Sequence, residues 1–390
     1  MGTQNPSQPS PLSPLPSPLS SFSDALWRDR RAGFFVIIPP SMCYQSFVFR
    51  MKVIICAALV AGLAFLWADH QPPAGATPVT LAYPANFQKP KLPADNLLTK
   101  ERVALGERLF HDTILSIDGT VSCAACHVVE FAFSDDVDLS RGFEGRLGKR
   151  NSQPLFNLAW KEHFFWDGRA KSVREQVLEP IQDHLEMAAN LDRVVSRLNR
   201  KESYREDFQK AYGPGPISSE TLALALENYL LTLISGDSKY DQFLAGKAQL
   251  TPEEEAGRKL FFAPHQKGGA GCFECHSGPH FSDFEYRNNG LPITEDLQDF
   301  GRFQVTGKQE DRLLFSTPSL RNIAITSPYM HDGRFAKLEE AVGHYQKPLH
   351  RSATLDARLQ PTGLNFGAAE TASLVAFLRT LTDPQFAEED

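Results

Sequence analysis

Two short runs of the sequence combine cysteine and histidine at a spacing that suits covalent attachment of haem. The first is Cys123-Ala124-Ala125-Cys126-His127, and the pattern recurs 149 residues later as Cys272-Phe273-Glu274-Cys275-His276. In such a run each thiol adds to a haem vinyl group, and the adjacent histidine ligates the iron. A single run could also be half of a zinc site or a redox-active cysteine pair. The recurrence favours two c-type haems.

Composition narrows the class of protein. The chain has 390 residues, 42% hydrophobic and 22% charged, which indicates a globular protein of two or three domains. A net charge of -7 gives no sign of nucleic-acid binding. Outside the two runs the only cysteines are Cys43 and Cys56, both before residue 70, in a part of the chain that we expect to be absent from the mature protein. We therefore expect no disulfide framework.

The N-terminal part differs from the rest of the chain. Residues 1–50 contain a Pro/Ser-rich stretch that cannot build a core, and we predict that they are a non-native or disordered extension. Lys52 is followed by fifteen apolar or small residues and then Ala68-Asp69, the order of a secretory signal. We predict a signal peptide at 51–68, export to the periplasm, and a linker at 69–95. An uncleaved N-terminal anchor is the alternative.

A second repeated pattern precedes each haem run. Gly106-Glu107-Arg108-Leu109-Phe110 lies 17 residues before the first run, and Gly257-Arg258-Lys259-Leu260-Phe261 lies 15 residues before the second. This internal repeat predicts two related cytochrome c-like domains, at 96–245 and 251–385. Thr251, with Pro252 and Glu254 after it, predicts a capped helix that opens the second domain.

The spacing of apolar residues predicts a mainly α fold. Helical stripes are formed by Val103, Leu105, Leu109 and Phe110; by Leu222, Leu226, Tyr229, Leu230 and Leu233; and by Leu374, Phe377, Leu378 and Leu381. Strand-like alternation is scarce. Ranges 134–153, 263–271 and 277–312 are rich in Gly, Asp and Asn, and we expect them to be long loops that wrap the cofactors.

A haem iron with an open sixth position can react with a bound molecule, whereas an iron with a strong sixth ligand acts as an electron carrier. Between His127 and His163 there is no histidine or methionine, which favours an open first iron. The candidates for the second iron are His280, Met330, His331, His344, Tyr345 and His350. Spacing alone does not choose among them.

Further motifs extend the pattern across residues 94–382. They are Arg150-Asn151, Phe165-Trp166-Asp167-Gly168-Arg169-Ala170, Glu175-Gln176, Glu186-Met187, Asp299-x-Gly301-Arg302-Phe303, Pro318-Ser319-Leu320-Arg321-Asn322 and Pro328-Tyr329-Met330-His331-Asp332-Gly333. In this order they resemble the bacterial di-haem cytochrome c peroxidase superfamily, including its MauG-like branch. The resemblance implies that the first haem binds hydrogen peroxide and that the second passes electrons.

The resemblance also implies roles for individual residues. Trp166 would carry electrons between the haems, and Glu186 would be the acid–base residue above the first iron. Gln176 would be its polar partner, and Pro180 would line the same pocket. Such a pair is needed because cleavage of the O–O bond moves a proton from one peroxide oxygen to the other.

A calcium site between the domains is implied as well. Asn151, Thr326 and Pro328 match its ligands, and amide and carbonyl oxygens suit this hard cation. Calcium there would tie the two haem domains together.

Two departures from typical relatives matter. The histidine that often caps the first iron is absent, so we expect peroxide to bind without reductive activation. At the usual methionine position of the second haem stands Tyr345, as in MauG, with His344 as the rival ligand. The surface tryptophan that MauG carries before its second run is replaced by Ala270, so MauG's own substrate is not expected.

Three functions follow from these expectations. The first is a periplasmic peroxidase that reduces hydrogen peroxide with electrons from a small cytochrome or cupredoxin. The second is a MauG-like enzyme that oxidises a partner protein. The third is a non-enzymatic di-haem electron carrier. The family is often dimeric, so a homodimer is a further expectation.

Overall fold

A computed structural model describes residues 71–294 and 298–387, all within one unit that begins at Trp67. The predicted extension at 1–50 and the predicted signal peptide at 51–68 lie outside these residues, and the linker is described from residue 71. Within the described ranges, none of the helices combines the length and the apolar character that a transmembrane span requires.

The described part of the chain is mainly helical, as predicted. Its α-helices are α1 Lys100–His111, α2 Val173–Gln176, α3 Leu178–Gln182, α4 Leu191–Arg200, α5 Glu202–Tyr212, α6 Ser219–Leu230, α7 Lys239–Leu244, α8 Pro252–Phe262, α9 Phe303–Thr306, α10 Leu338–His344 and α11 Ala368–Arg379. The single sheet of these residues pairs β1 Tyr286–Arg287 with β2 Phe315–Ser316, antiparallel. Short 3₁₀ turns lie between the helices, and two of them, Cys123–Ala125 and Cys272–Glu274, contain the start of the cysteine–histidine runs.

Local sequence explains several helix ends. Thr251 accepts a hydrogen bond from the backbone of Glu254, whose side chain bonds back to Thr251, so α8 begins with the predicted capping box. The apolar stripes predicted α6 and α11, but Leu233 and Leu381 lie beyond the helices. There the chain changes to tighter i to i−3 bonds, Leu233 N to Leu230 O and Leu381 N to Leu378 O, which end the regular helix.

The two Gly-x-x-Leu-Phe helices are each crossed closely by a second helix at the glycine. A Cβ at Gly106 would lie 2.1 Å from the carbonyl oxygen of Ala225 in α6, and a Cβ at Gly257 would lie 1.8 Å from that of Ser373 in α11. Any side chain would therefore force the helices apart. The same short motif serves the same packing purpose in α1 and α8.

Buried side chains form two apolar clusters. The first is built from residues 98–231 and includes Leu109 and Phe110, while the second is built from residues 240–381 and includes Phe261 and Phe377. Phe386, near the C-terminus, returns to the first cluster. The return is held by the Asp383 carboxylate, which accepts hydrogen bonds from the backbone of Gly236 and Asp237 at 2.8 and 3.0 Å.

Candidate active site

The first cysteine–histidine run lies on the wall of a cavity. Cys123, Cys126 and His127 all line it. The backbone N–H of His127 donates to the Cys123 carbonyl at 3.0 Å, which closes the run into a compact turn. Nδ1 of His127 lies 2.8 Å from the carbonyl oxygen of Phe133. A carbonyl only accepts, so Nδ1 carries the proton and Nε2 is the unprotonated nitrogen.

The second run repeats this arrangement around another cavity. Cys272, Cys275 and His276 line it, and the His276 N–H donates to the Cys272 carbonyl at 2.9 Å. Nδ1 of His276 lies 3.2 Å from the carbonyl oxygen of Phe281, so the same tautomer follows. Within the described ranges all four thiols are free of disulfides.

The donor sets of both cavities fit a c-type haem. Each offers two thiols for the vinyl groups and an imidazole whose ligating nitrogen is set by the backbone carbonyl on the other. Each cavity also has cations in its wall. Arg287 lines the second cavity, where its guanidinium pairs with Asp283 and Asp356 and its Nε has no partner in the described structure. Nη1 of Arg358 lies 3.8 Å from Cys275 Sγ in the same wall. Lys161 lines the first cavity, where burial lowers its pKa to about 8.

Glu186 lies where the acid–base residue is expected, in the wall of the first cavity. Burial raises the pKa of this carboxyl to about 7, and the neighbouring Asp183 and Glu179 add to the rise while Arg169 opposes it. A carboxyl with this pKa exchanges a proton near neutral pH. Gln176, the last residue of α2, and Pro180 line the same cavity, so the structure brings together the residues that the motifs indicated.

The loop that carries Glu186 is fixed by a glycine that the sequence did not single out. A Cβ at Gly142 would lie 2.1 Å from the Leu185 carbonyl oxygen and 2.4 Å from that of Glu186. Phe143 N–H donates to the Glu186 carbonyl at 2.6 Å. The glycine thus lets the 142–146 turn lie directly against the Glu186 backbone. The sequence shows a glycine at position 142, but it does not show that the backbone of Leu185 and Glu186 lies against it.

Met187 was quoted only as part of a motif, yet it lines the first cavity beside Glu186 and is 3% exposed. Its backbone is held at both ends, by donation to Pro180 O at 3.1 Å and by acceptance from Ile117 N at 2.9 Å. Of the histidines in the described chain, His127 lines this cavity, whereas His163 does not. The expectation of an open first iron remains a prediction.

Trp166 is the one described residue that lines both cavities. Its indole Nε1–H donates to the Asn151 carbonyl at 2.9 Å, and its own carbonyl accepts from Ser316 N at 2.7 Å. These bonds hold the tryptophan between strand β2 and the loop at 151. Its position is the one that a carrier between two haems requires.

Three of the six candidate ligands for the second iron line the second cavity: Met330, His331 and Tyr345. Burial raises the pKa of Tyr345 to about 12. Met330 accepts from the Asn289 amide at 3.5 Å, and the His331 ring stacks on Phe315 with centroids 3.8 Å apart. Tyr345 has a protein partner as well, since a hydrogen bond with the Asn289 side chain opposes the rise in its pKa, so these contacts do not separate the three residues.

The other three candidates lie elsewhere. His280, His344 and His350 do not line the cavity. The Nε2 of His344 lies 2.9 Å from the Asn289 carbonyl oxygen, so this nitrogen is a donor and not a free ligand. The geometry favours Tyr345 over its rival His344.

The residues expected to bind calcium are Asn151, Thr326 and Pro328. Asn151 donates its amide N–H groups to the carbonyls of Val137 and Asp138 at 3.2 and 3.3 Å, so Oδ1 is not the atom that makes these bonds. Thr326 and Pro328 flank Ser327, and the Ser327-Pro328 peptide is cis. In the described ranges no group of three or more His, Cys, Asp or Glu residues could hold a metal ion. That finding leaves a site of amide and carbonyl oxygens as a prediction.

Comparison with known proteins identifies the class. The profile of the di-haem cytochrome c peroxidase family matches residues 100–249. A methylamine utilization protein MauG of Methylorubrum extorquens is 37% identical over 305 residues, which cover 77% of this chain and 84% of that protein. A cytochrome c551 peroxidase of Nitrosomonas europaea is 35% identical over 284 residues, covering 72% and 80%.

A solved structure agrees with these relatives. A MauG-like protein associated with microbial copper homeostasis superposes with a TM-score of 0.72 at 32% identity, over 80% of this chain and 97% of that one. The chain therefore belongs to the di-haem cytochrome c peroxidase family, and it is a peroxidase-type oxidoreductase. Membership implies two c-type haems.

Proposed function

We propose that this protein is a periplasmic di-haem peroxidase that reduces hydrogen peroxide to water with electrons from a small redox protein. The observation that carries the proposal is the pair of cysteine–histidine cavities joined by Trp166, with a carboxyl of raised pKa in the first. The haems would supply the electron-accepting and electron-storing chemistry. His127, Cys123 and Cys126 would hold one haem, and His276, Cys272 and Cys275 the other.

The protein's own part in the reaction is proton movement and orientation. Glu186 takes the proton from the inner peroxide oxygen and delivers it to the outer one, which leaves as water. Gln176 orients the peroxide from the same wall. Because the Glu186 carboxyl is largely buried in this wall, bulk water competes less for the proton.

Trp166 sets the route of the electrons, and Tyr345 sets the reduction potential of the second iron. Trp166 passes single electrons between the cavities that it lines. Tyr345 would hold the second iron together with His276, and an anionic oxygen ligand there would favour oxidised iron. The second site then serves as a reservoir of oxidising equivalents.

Further features complete the proposal. Residues 51–68 direct export, and 96–245 and 251–385 are two haem domains derived from one repeated unit. The matching close contacts of Gly106 and Gly257 support the repeat. Calcium bound by Asn151, Thr326 and Pro328 ties the domains together, and the protein forms a homodimer.

The test is a resting-state spin-resonance spectrum combined with peroxide addition to the oxidised protein. We expect one high-spin iron, one low-spin iron and a prompt optical change with peroxide. Two six-coordinate low-spin irons and no reaction would contradict the proposal and would favour a simple electron carrier. Rapid turnover with a reduced cytochrome or cupredoxin is the second expected result.

A MauG-like oxidation of a partner protein is the second candidate. It is favoured by Tyr345 in the second cavity and by the relatives named MauG. Slow turnover with soluble donors, together with a long-lived oxidised state, would select it over the peroxidase.

A further inference from the structure

A chain of rings leads from the neighbourhood of His276 to the surface. The Trp160 ring lies 5.0 Å from His280 and 5.6 Å from Tyr83, centroid to centroid. Phe87 closes the side of this group, 4.6 Å from His280 and 5.3 Å from Trp160. His280 is buried, whereas Trp160 and Tyr83 are half-buried. The group therefore begins inside the protein and ends at its surface.

The inner end of this chain is joined to the second haem run. His276 bonds through Nδ1 to the carbonyl of Phe281, the residue that follows His280. The His280 carbonyl is held in turn by the Ser319 hydroxyl at 2.6 Å. A rigid backbone thus links the iron-binding imidazole to the first ring of the chain.

Two properties distinguish the group from ordinary aromatic packing. Both ring nitrogens of His280 are buried without a hydrogen-bond partner in the described structure, although buried polar atoms are normally paired. Burial lowers the pKa of His280 to about 4, so the ring is neutral and accepts no proton at neutral pH. The Trp160 N–H donates to the Gln88 carbonyl at 2.6 Å, which stabilises an oxidised indole that keeps its proton.

We propose that Tyr83, Trp160 and His280 form an entry path for single electrons from the protein surface to the second haem. This inference rests on the proposed peroxidase function and names its electron-entry site. Trp160 gives one electron inward, and Tyr83 refills it while releasing its phenolic proton to water. One electron from the donor protein and one proton from water then restore the Tyr83 phenol. Two such transfers, with two protons, reduce one peroxide to two waters, and the donor protein is oxidised twice.

The path predicts where oxidation accumulates when no donor is present. After peroxide is added to the oxidised holoprotein, peptide mass spectrometry should find Tyr83 modified, and deuterated tyrosine should alter the radical spectrum. Trp160→Phe keeps the ring packing but removes the oxidisable indole, so modification of Tyr83 should be lost. Tyr83→Phe should instead concentrate oxidation on Trp160, which covers the case of a poorly folded Trp160 variant.

The matched control is Tyr212→Phe, which also removes one phenol but lies away from both cavities, with a hydroxyl that has no described partner. It should behave as wild type. Equal modification of Tyr83 in wild type and Trp160→Phe would overturn the path while leaving the peroxidase proposal intact. Absence of any haem spectral change with peroxide would instead remove the peroxidase proposal, and the path with it.

Discussion

Glu186→Gln is the sharpest test of the proposed chemistry, because it keeps the shape of the side chain and removes its basicity. With a pKa of about 7, the wild-type carboxyl is mostly protonated at pH 6 and mostly ionised at pH 8. The ionised form is the one that takes a proton from peroxide. Its share rises from about 9% to about 91% across this range, so the rate of peroxide activation should rise about tenfold.

Glu186→Gln should activate peroxide more slowly than the wild type, and its rate should no longer depend on pH. Removal of a general acid–base group typically lowers a rate by about 10²–10⁴-fold. Stopped-flow absorbance of the oxidised protein mixed with peroxide measures this step without any electron donor. We expect a flat profile between pH 6 and 8 for Glu186→Gln.

Glu179→Gln is the matched control, since it makes the same chemical change in the same cavity wall. Glu179 pairs with Arg169 at 2.6 Å, and its charge contributes to the raised pKa of Glu186. The control should therefore keep its activity, with the inflection moved slightly to lower pH. A wild-type rate that does not change from pH 6 to 8, or near-normal activation in Glu186→Gln, would refute the acid–base role.

Three further outcomes are expected. Tyr345→Phe should change the resting spin-resonance spectrum of the second haem and raise its reduction potential, because the oxygen ligand is lost. The control Tyr329→Phe, in the same cavity wall, should leave the spectrum unchanged, and identical spectra for the two variants would exclude Tyr345 as the ligand. Trp166→Phe should slow the spectral response of the second haem to peroxide while the first still reacts, which optical kinetics can separate; an unaltered second phase would count against the relay. Gly257→Ala should lower the free energy of unfolding by about 1–3 kcal/mol, because the added methyl group overpacks against α11. Gly343→Ala in α10, where a Cβ would have its nearest atom at 3.9 Å, should instead raise it by roughly 0.5–1 kcal/mol. Thermal unfolding of the holoproteins measures both effects, and equal effects would contradict the packing argument.

Local chemistry explains what could be predicted in advance. The cysteine–histidine runs need only five consecutive residues, so both haem attachments follow from the sequence. The Thr251 cap and the helical stripes likewise depend on neighbours within a few residues. The predicted end of the helix at Leu233 was wrong, because the apolar spacing continues through the tighter last turn and does not indicate where the regular helix ends.

The positions of His344 and Tyr345 show what depends on the folded chain. Adjacent residues on a helix point about 100° apart. At the end of α10 this turn directs His344 toward the Asn289 carbonyl and leaves Tyr345 in the wall of the cavity. Spacing could not separate the two residues, because the answer depends on where the distant 289 loop lies.

The same reason applies to the Glu186 carboxyl and to Trp166. The amino-acid sequence was sufficient to find the two cysteine–histidine runs, the mainly helical class, and the motifs that contain Glu186 and Trp166. Only the tertiary structure buried Glu186 in a cavity wall, which raises the pKa of its carboxyl, and only it made Trp166 border both cavities. Burial and long-range contact are sums over residues far apart in the chain, and no local pattern contains them.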